Sequence, residues 1–117
     1  MKENIVQQKS YSFSIQIINL YRYLVYEKKE FVLSKQVLKS GTSIGANIEE
    51  ALGGFSRKDF HAKLNIAYKE ARETHYWLRL IWDSGFALLG DCERLLLDCD
   101  EILRIIGSIQ KSLISNS

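Results

Sequence analysis

The stretch Phe60–Trp82 constrains this chain more than any other. In it Phe60, Leu64, Ala67, Ala71, Thr74, Leu78 and Ile81 recur at alternating spacings of four and three. That is a heptad stripe, the pattern of a helix laid lengthwise on other helices. Ile66, Tyr68, Tyr76, Trp77, Leu80 and Trp82 fall off the stripe, on the flanks and back of the same helix. A helix with one apolar stripe lies at a domain surface, whereas one that is apolar nearly all round is covered on several sides. A chain of 117 residues makes one domain with one core. The additional cover is therefore expected from another subunit.

The rest of the chain supplies partners for that helix. The sequence has no proline, and proline is the residue that breaks helix interiors. A first helix is predicted over about 10–28, with Phe13, Ile17, Leu20 and Leu24 as its stripe and Ile18, Tyr21 and Val25 widening it. The polar residues before Ser10 are expected to fray. A second helix is predicted over about 32–53, capped by Ser34, with Val37, Ile44, Ile48 and Ala51 buried and Gly41 on the same row. Within it Ser40–Asn47 reads SGTSIGAN, and each glycine there costs about 1 kcal/mol against alanine. The apolar spacing nevertheless stays in phase, so the helix is expected to continue, its small residues admitting a neighbouring backbone. Gly53-Gly54 should end it, one of them in a left-handed cap.

Ser56, with Asp59 three residues later, signals the start of the third helix, about 57–84. Asp91 is the expected cap of the fourth, about 91–114, with Cys92, Leu96, Cys99, Leu103, Ile106, Ile109 and Leu113 as its stripe and Asp98, Asp100, Glu101 and Arg104 facing water. Four long helices joined by short loops give an all-α, up-down-up-down antiparallel four-helix bundle as a single domain over residues 1–117.

Composition narrows the function classes. No apolar run approaches the roughly 20 residues a membrane span needs, and the start, MKENIVQQKSYSF, has no apolar signal region. A cytoplasmic protein without a membrane role is expected. Cys92 and Cys99 lie seven residues apart on one helix, about 10 Å, too far for a disulfide. With no histidine nearby they make a poor zinc site and read as small core residues. Net charge is +2, but unevenly spread. Residues 1–39 carry seven basic and three acidic side chains, residues 40–90 six of each, and residues 91–117 three basic and five acidic. A basic first half suits a polyanion, and head-to-tail subunit contacts would use the same asymmetry.

The candidate constellations are few. Asn47, Glu50, Lys69 and Glu73 form a polar set on the second and third helices. Paired carboxylates can serve acid–base or metal chemistry, yet no glutamate here has the histidine three residues on that di-metal bundles carry. The set is expected to be an inter-helix polar network. His61 and His75 are fourteen residues apart on one helix, about 21 Å, and cannot share a metal; His75, beside Trp77, reads as an interface residue. Gly-Thr-Ser-Ile-Gly at 41–45 lacks the lysine and spacing of a phosphate loop. No catalytic residue, cofactor or metal ligand is expected. Lys35, Lys39, Arg57, Lys58 and Lys63 are the candidate phosphate contacts, against the plainer reading of a solvated face. Tyr68, Tyr76, Trp77 and Trp82 could stack on bases but are expected in a subunit interface.

The segment Ser43–Leu80 carries Ser43-Ile44, Asn47-Ile48, Glu50, Ser56…Asp59-Phe60, Leu64, Ile66-Ala67, Glu73 and Trp77-Leu78. On these the chain resembles the bacterial four helix bundle protein family, encoded in intervening sequences of large-subunit ribosomal RNA genes. Gln36, Ser40 and Gly41 extend the match upstream, whereas the first and fourth helices match by pattern only. Where many members read N-I-A-E-G, this chain has Glu49 for the alanine and Ala51 for the glycine. The family is similar to the accessory protein of diversity-generating retroelements, a barrel-like homopentamer of four-helix subunits that binds its reverse transcriptase and nucleic acid. The resemblance implies a pentameric self-partner and RNA, DNA or a nucleic-acid enzyme as a further partner. It brings no catalytic residues. The expected function is a non-enzymatic homo-oligomer that binds nucleic acid or scaffolds a ribonucleoprotein through a basic surface, the alternative being a protein-assembly module with no nucleic-acid role.

Overall fold

The computed structural model describes residues 4–115, with the side chains of all of these except 89 and 113–115. Four helices follow one another: α1 (Ile5–Tyr26), α2 (Leu33–Leu52), α3 (Arg57–Asp83) and α4 (Leu89–Ser115). Each packs on its neighbours in sequence, and α4 closes back on α1. Paired residues fix the directions. Glu50 meets Lys63 and Ser40 meets Thr74 between α2 and α3, while Ala71 meets Cys99 and His61 meets Gln110 between α3 and α4. In each case one partner's number rises as the other's falls, so successive helices are antiparallel. The architecture is the expected up-down-up-down bundle.

The stripes build one core. Phe13, Ile17, Leu20 and Leu24 of α1, Val37, Ile44, Ile48 and Ala51 of α2, and Leu64 through Ile81 of the α3 stripe are buried, with Phe60 at its rim. The fourth stripe differs from expectation. Cys92, Cys99 and Ile106 are buried, but Leu95 and Ile102 complete the row, and Leu96, Leu103 and Ile109 are only half-buried. Leu113 lies outside the described side chains. Two seams share Cys92, Cys99 and Ile106, and the bundle selects the one turned towards α1. Asp100 and Glu101, expected in water, instead pair with His75 and Lys9 on the flanking helices.

SGTSIGAN is helical throughout. A Cβ on Gly41 would stand 2.9 Å from both Cγ atoms of Ile17, so α1 and α2 approach as closely as glycine allows. Gly45 faces Ser10 and Ser14 in the same seam.

Helix ends account for the remaining differences. Over residues 4–9 the fraying expected before Ser10 does not occur, because Asn4 caps Gln7 N at 3.0 Å and Val6 is buried; residues 1–3 lie outside the described residues. Ser34 is not a cap. It lies inside α2, fully buried, its hydroxyl without a partner. The Glu30 carboxylate caps α2 instead, accepting from the amides of Val32, Leu33 and Ser34 at 3.2, 3.1 and 2.8 Å. Ser56 does cap α3, accepting from Asp59 N at 3.0 Å. Neither Gly53 nor Gly54 is left-handed, and the left-handed glycine is Gly85, just beyond α3. Gly54 packs closely all the same: a Cβ there would displace the exposed Asp59 carboxylate and stand 3.3 Å from Ala51 O. Asp91 sits in the first turn of α4 rather than at its cap, where its charge still suits the helix dipole.

Candidate nucleic-acid interface

The polar set of α2 and α3 does not form the expected inter-helix network. Asn47 Nδ2 donates within its own helix, to Ser43 O at 2.8 Å. Glu73 accepts from the Trp77 indole one turn along α3 at 3.1 Å. Lys69 is exposed. Glu50 alone crosses between helices, to Lys63 at 3.0 Å. The register explains this, since Glu50 lies level with the start of α3 and Glu73 beside Ser40. The buried polar link between these helices is Ser40–Thr74, hydroxyl to hydroxyl at 2.9 Å. Thr74 also bonds Glu70 O at 2.7 Å.

The five candidate cations fall into two groups. Lys35 and Lys39 are exposed on the outer side of α2, roughly level with Leu78 and Thr74. Arg57 and Lys58 are exposed at the start of α3. Some 20 residues of helix, about 30 Å, separate the groups. Lys63 is partly neutralised by Glu50. Burial raises the Glu70 carboxyl above its ordinary range, Glu73 adds to this, and Lys39 opposes it, which places the Lys39 charge near a carboxylate.

Lys35 also belongs to a cationic end that sequence spacing alone does not assemble. Lys28 and Lys29 are exposed in the α1–α2 turn, with Arg22 further up α1. Of the two carboxylates there, Glu27 is exposed beside Lys28, and Glu30 is committed to three backbone amides. Burial pulls its carboxyl upward, but the bonds from Ser34, Leu33 and Val32 outweigh this and hold it below its ordinary value.

Tyr68, Trp77 and Trp82 are half-buried against the chain's own core, and Tyr76 is exposed with its ring edge-on to Trp77 at 5.1 Å. Ile66 is also exposed.

Along the outer seam of α3 and α4 run two depressions. The first, about 520 Å³, is lined by Lys58, His61, Asn65 and Tyr68 of α3 and by Gly107 and Gln110 of α4. Gly107 leaves the Tyr68 ring uncovered: a Cβ there would be in van der Waals contact with it at 3.8 Å. Gln110 donates to His61 O at 3.2 Å, while its own Oε1 is buried without a partner. The second, about 280 Å³, is lined by Arg72, His75 and Arg79 with Asp100 and Leu103. His75 Nε2 lies 3.1 Å from Asp100 Oδ1, so His75 faces α4 and not Trp77. The seam joins residues that the sequence reading left apart. The signal that could have found them is their spacing, alternately three and four along α3.

Both thiols are free and buried. Burial, with help from Asp91, pushes Cys92 up to about 11, and burial, with Asp100 and Asp98, pushes Cys99 up to about 12. Among the described residues no group of histidine, cysteine and carboxylate side chains is arranged to hold a metal ion. No described helix is long and apolar enough to cross a membrane.

With this geometry in place, the comparisons are specific. The model of the 23S rRNA-intervening sequence protein family matches residues 2–108. A crystal structure of a protein of unknown function from the S23 ribosomal protein family of Bacteroides thetaiotaomicron is 52% identical. It covers 95% of this chain and 99% of its own, with a TM-score of 0.91. Among curated proteins none matches.

Proposed function

The chain belongs to the 23S rRNA-intervening sequence protein family, and from that premise we propose a non-enzymatic, self-assembling helical scaffold that binds RNA or DNA by its phosphates. One observation carries the reading. Lys28, Lys29 and Lys35 project from one end of the bundle, with Arg22 and Lys39 a little further along α1 and α2. The intervening Glu30 is engaged by the backbone. These five exposed cations outnumber the two carboxylates of the α1–α2 turn, Glu27 and Glu30, and such an excess attracts phosphates and releases counterions on binding. Self-assembly is supported by the half-buried Trp77 and Trp82 and the exposed Ile66 and Tyr76 on α3. The resemblance implies five subunits, and the compartment proposed is the cytoplasm. A ring would bring the cationic ends of several subunits together.

The test is binding of labelled single-stranded RNA and duplex DNA to nuclease-treated protein. For four phosphate contacts on a single strand, raising salt from 50 to 200 mM should weaken binding about 50-fold. Lys35→Glu/Lys39→Glu should weaken it further. No binding even at low salt would remove the nucleic-acid reading. It would leave the assembly module, favoured by the same apolar surface of α3. Sedimentation tests that part: Trp77→Ala should fall to a smaller mass, and a folded variant that keeps the parent's mass shows that Trp77 is no interface anchor.

A further inference from the structure

We propose that the seam between α3 and α4 is a track for single-stranded nucleic acid, with Tyr68 as a base-stacking platform and Arg72 and Arg79 as phosphate contacts. This rests on the nucleic-acid reading above and says where and in what form the strand is held.

The argument begins with spacing. Lys58, His61, Asn65 and Tyr68, then Arg72, His75 and Arg79, follow one another at alternating steps of three and four. Such steps keep residues on one face of a helix. This face turns towards α4, where His61, Tyr68 and His75 lie opposite Gln110, Gly107 and Asp100. It runs for about 30 Å and contains no carboxylate. The α4 wall contributes one, Asp100, which lies beside His75 and lines the same depression as Arg72 and Arg79. The seam therefore carries three cations, Lys58, Arg72 and Arg79, against one carboxylate, unlike the α2 flank of α3, where Glu50, Glu70 and Glu73 stand among the lysines.

The two depressions divide the work. The upper one sets Arg72 and Arg79 two helical turns apart, about 10 Å, on either side of a space of about 280 Å³. Arginine forks suit phosphate oxygens. The lower one, about 520 Å³, has the Tyr68 ring in it, bared by Gly107. The Asn65 amide is at its edge, and Gln110 Oε1 is a buried acceptor without a partner in its wall. A flat aromatic surface flanked by amide donors and acceptors is what an unstacked base binds. Lys58 at the rim meets the next phosphate. A splayed-out base of a single strand can lie on the Tyr68 ring, whereas the bases of a duplex are paired and stacked and do not present a free face to it. That geometry selects the single strand.

The experiment uses the full chain, a labelled 20-nucleotide oligo(U) RNA and the same length of duplex, at 50 mM salt. Arg72→Gln/Arg79→Gln keeps helix propensity and removes two charges, and it should weaken oligo(U) about 10-fold. Tyr68→Leu keeps the packing against Gly107 and removes the stacking surface, and it should weaken oligo(U) by 5-fold or more while changing duplex affinity less than 2-fold. RNA carrying 4-thiouridine should cross-link to the peptide containing Tyr68. Circular dichroism confirms that each variant is folded. If oligo(U) binds, Lys35→Glu/Lys39→Glu abolishes it and both seam variants change it less than 2-fold, the track is refuted while the nucleic-acid reading stands. If the parent binds no RNA at all, both fail. If poly-glutamate competes for the seam and depends on Arg72 and Arg79 while Tyr68→Leu has no effect, the seam holds an acidic protein segment and the proposal is overturned.

Discussion

Gly41→Ala should destabilise the bundle, although helix propensity alone predicts the reverse. Propensity favours alanine by about 1 kcal/mol. Against this, the new methyl would meet both Cγ atoms of Ile17 at 2.9 Å and its Cβ at 3.3 Å, where carbon atoms prefer about 3.5–4.0 Å. Ile17 cannot turn away. It is 0% exposed, its β-branch holds one rotamer in a helix, and the clashing atoms adjoin its backbone. The two helices must part instead. Overpacking of this kind costs about 1–3 kcal/mol, and three close contacts at a rigid residue place it in the upper half. The net loss should be about 1–2 kcal/mol. Gly45→Ala is the internal control. Its Cβ would stand 3.4 Å from Ser14 Oγ and 3.5 Å from two atoms of Ser10, close to ordinary contact. Most of the propensity gain should survive, about 0.5–1 kcal/mol.

Urea unfolding followed by circular dichroism, at one protein concentration because assembly adds to stability, reads both. The midpoint should fall by roughly 0.5–1 M for Gly41→Ala and rise for Gly45→Ala, with unchanged slopes. Ile17→Ala should cost less in the Gly41→Ala background than in the parent, by at least about 1 kcal/mol, since the methyl then occupies part of the void. A rise in midpoint for Gly41→Ala, or no coupling to Ile17, would refute the close-approach argument.

Other expectations follow from single contacts. Glu30→Ala should cost about 1 kcal/mol near neutral pH, as for other lost N-caps. Because the folded pKa of Glu30 is depressed below 4.5, its contribution is present above that value and lost as pH falls through the folded pKa. Urea midpoints of parent and variant should therefore converge in acid. Cys92 and Cys99, buried with pKa values of about 11 and 12, should resist a thiol reagent at pH 8 in the folded protein and both react in urea. Labelling of either in the folded state would contradict their burial. Thr74→Val should cost about 1–3 kcal/mol by leaving the Ser40 hydroxyl without its inter-helix partner. Adding Ser40→Ala should recover part of that loss in the same urea assay, and no recovery would mean the bond is not the source.

The parts of the fold that could be read from the sequence are those where one period dominates. The stripe from Leu64 to Ile81 admits a single seam because the rows beside it, although they hold Ile66, Tyr68 and Trp77, are broken by Lys63, Glu70 and Glu73 on one side and by Asn65, Arg72 and Arg79 on the other. The fourth helix lacks that contrast. Leu95-Leu96-Leu97, Ile102-Leu103 and Ile105-Ile106 put apolar side chains on adjacent positions, so two seams fit and only packing against α1 chooses Leu95 and Ile102. The α2 cap was hidden for a different reason. Ser34 is the conventional cap residue, but Glu30 reaches forward up to four positions to bond three amides, a competition that sequence does not rank.

The cations were the hardest to assign, because nearness in sequence is a poor guide to nearness on a helix. Arg57, Lys58 and Lys63 look like one cluster, yet five residues of helix turn Lys63 about 140° from Lys58. That rotation carries Lys63 to the α2 side, where Glu50 meets it, and leaves Lys58 on the α4 side with His61 and Tyr68. Arg72 and Arg79 look like isolated charges and even like partners for Glu73, which lies on the opposite flank and accepts from Trp77. Sorting α3 by flank rather than by sequence neighbourhood separates two surfaces of different chemistry. Towards α2 the charges are mixed and largely compensated, as suits packing between helices. Towards α4 they are of one sign and interleaved with an amide and an aromatic ring, an arrangement that packing between helices does not require and that a polyanion with flat bases does.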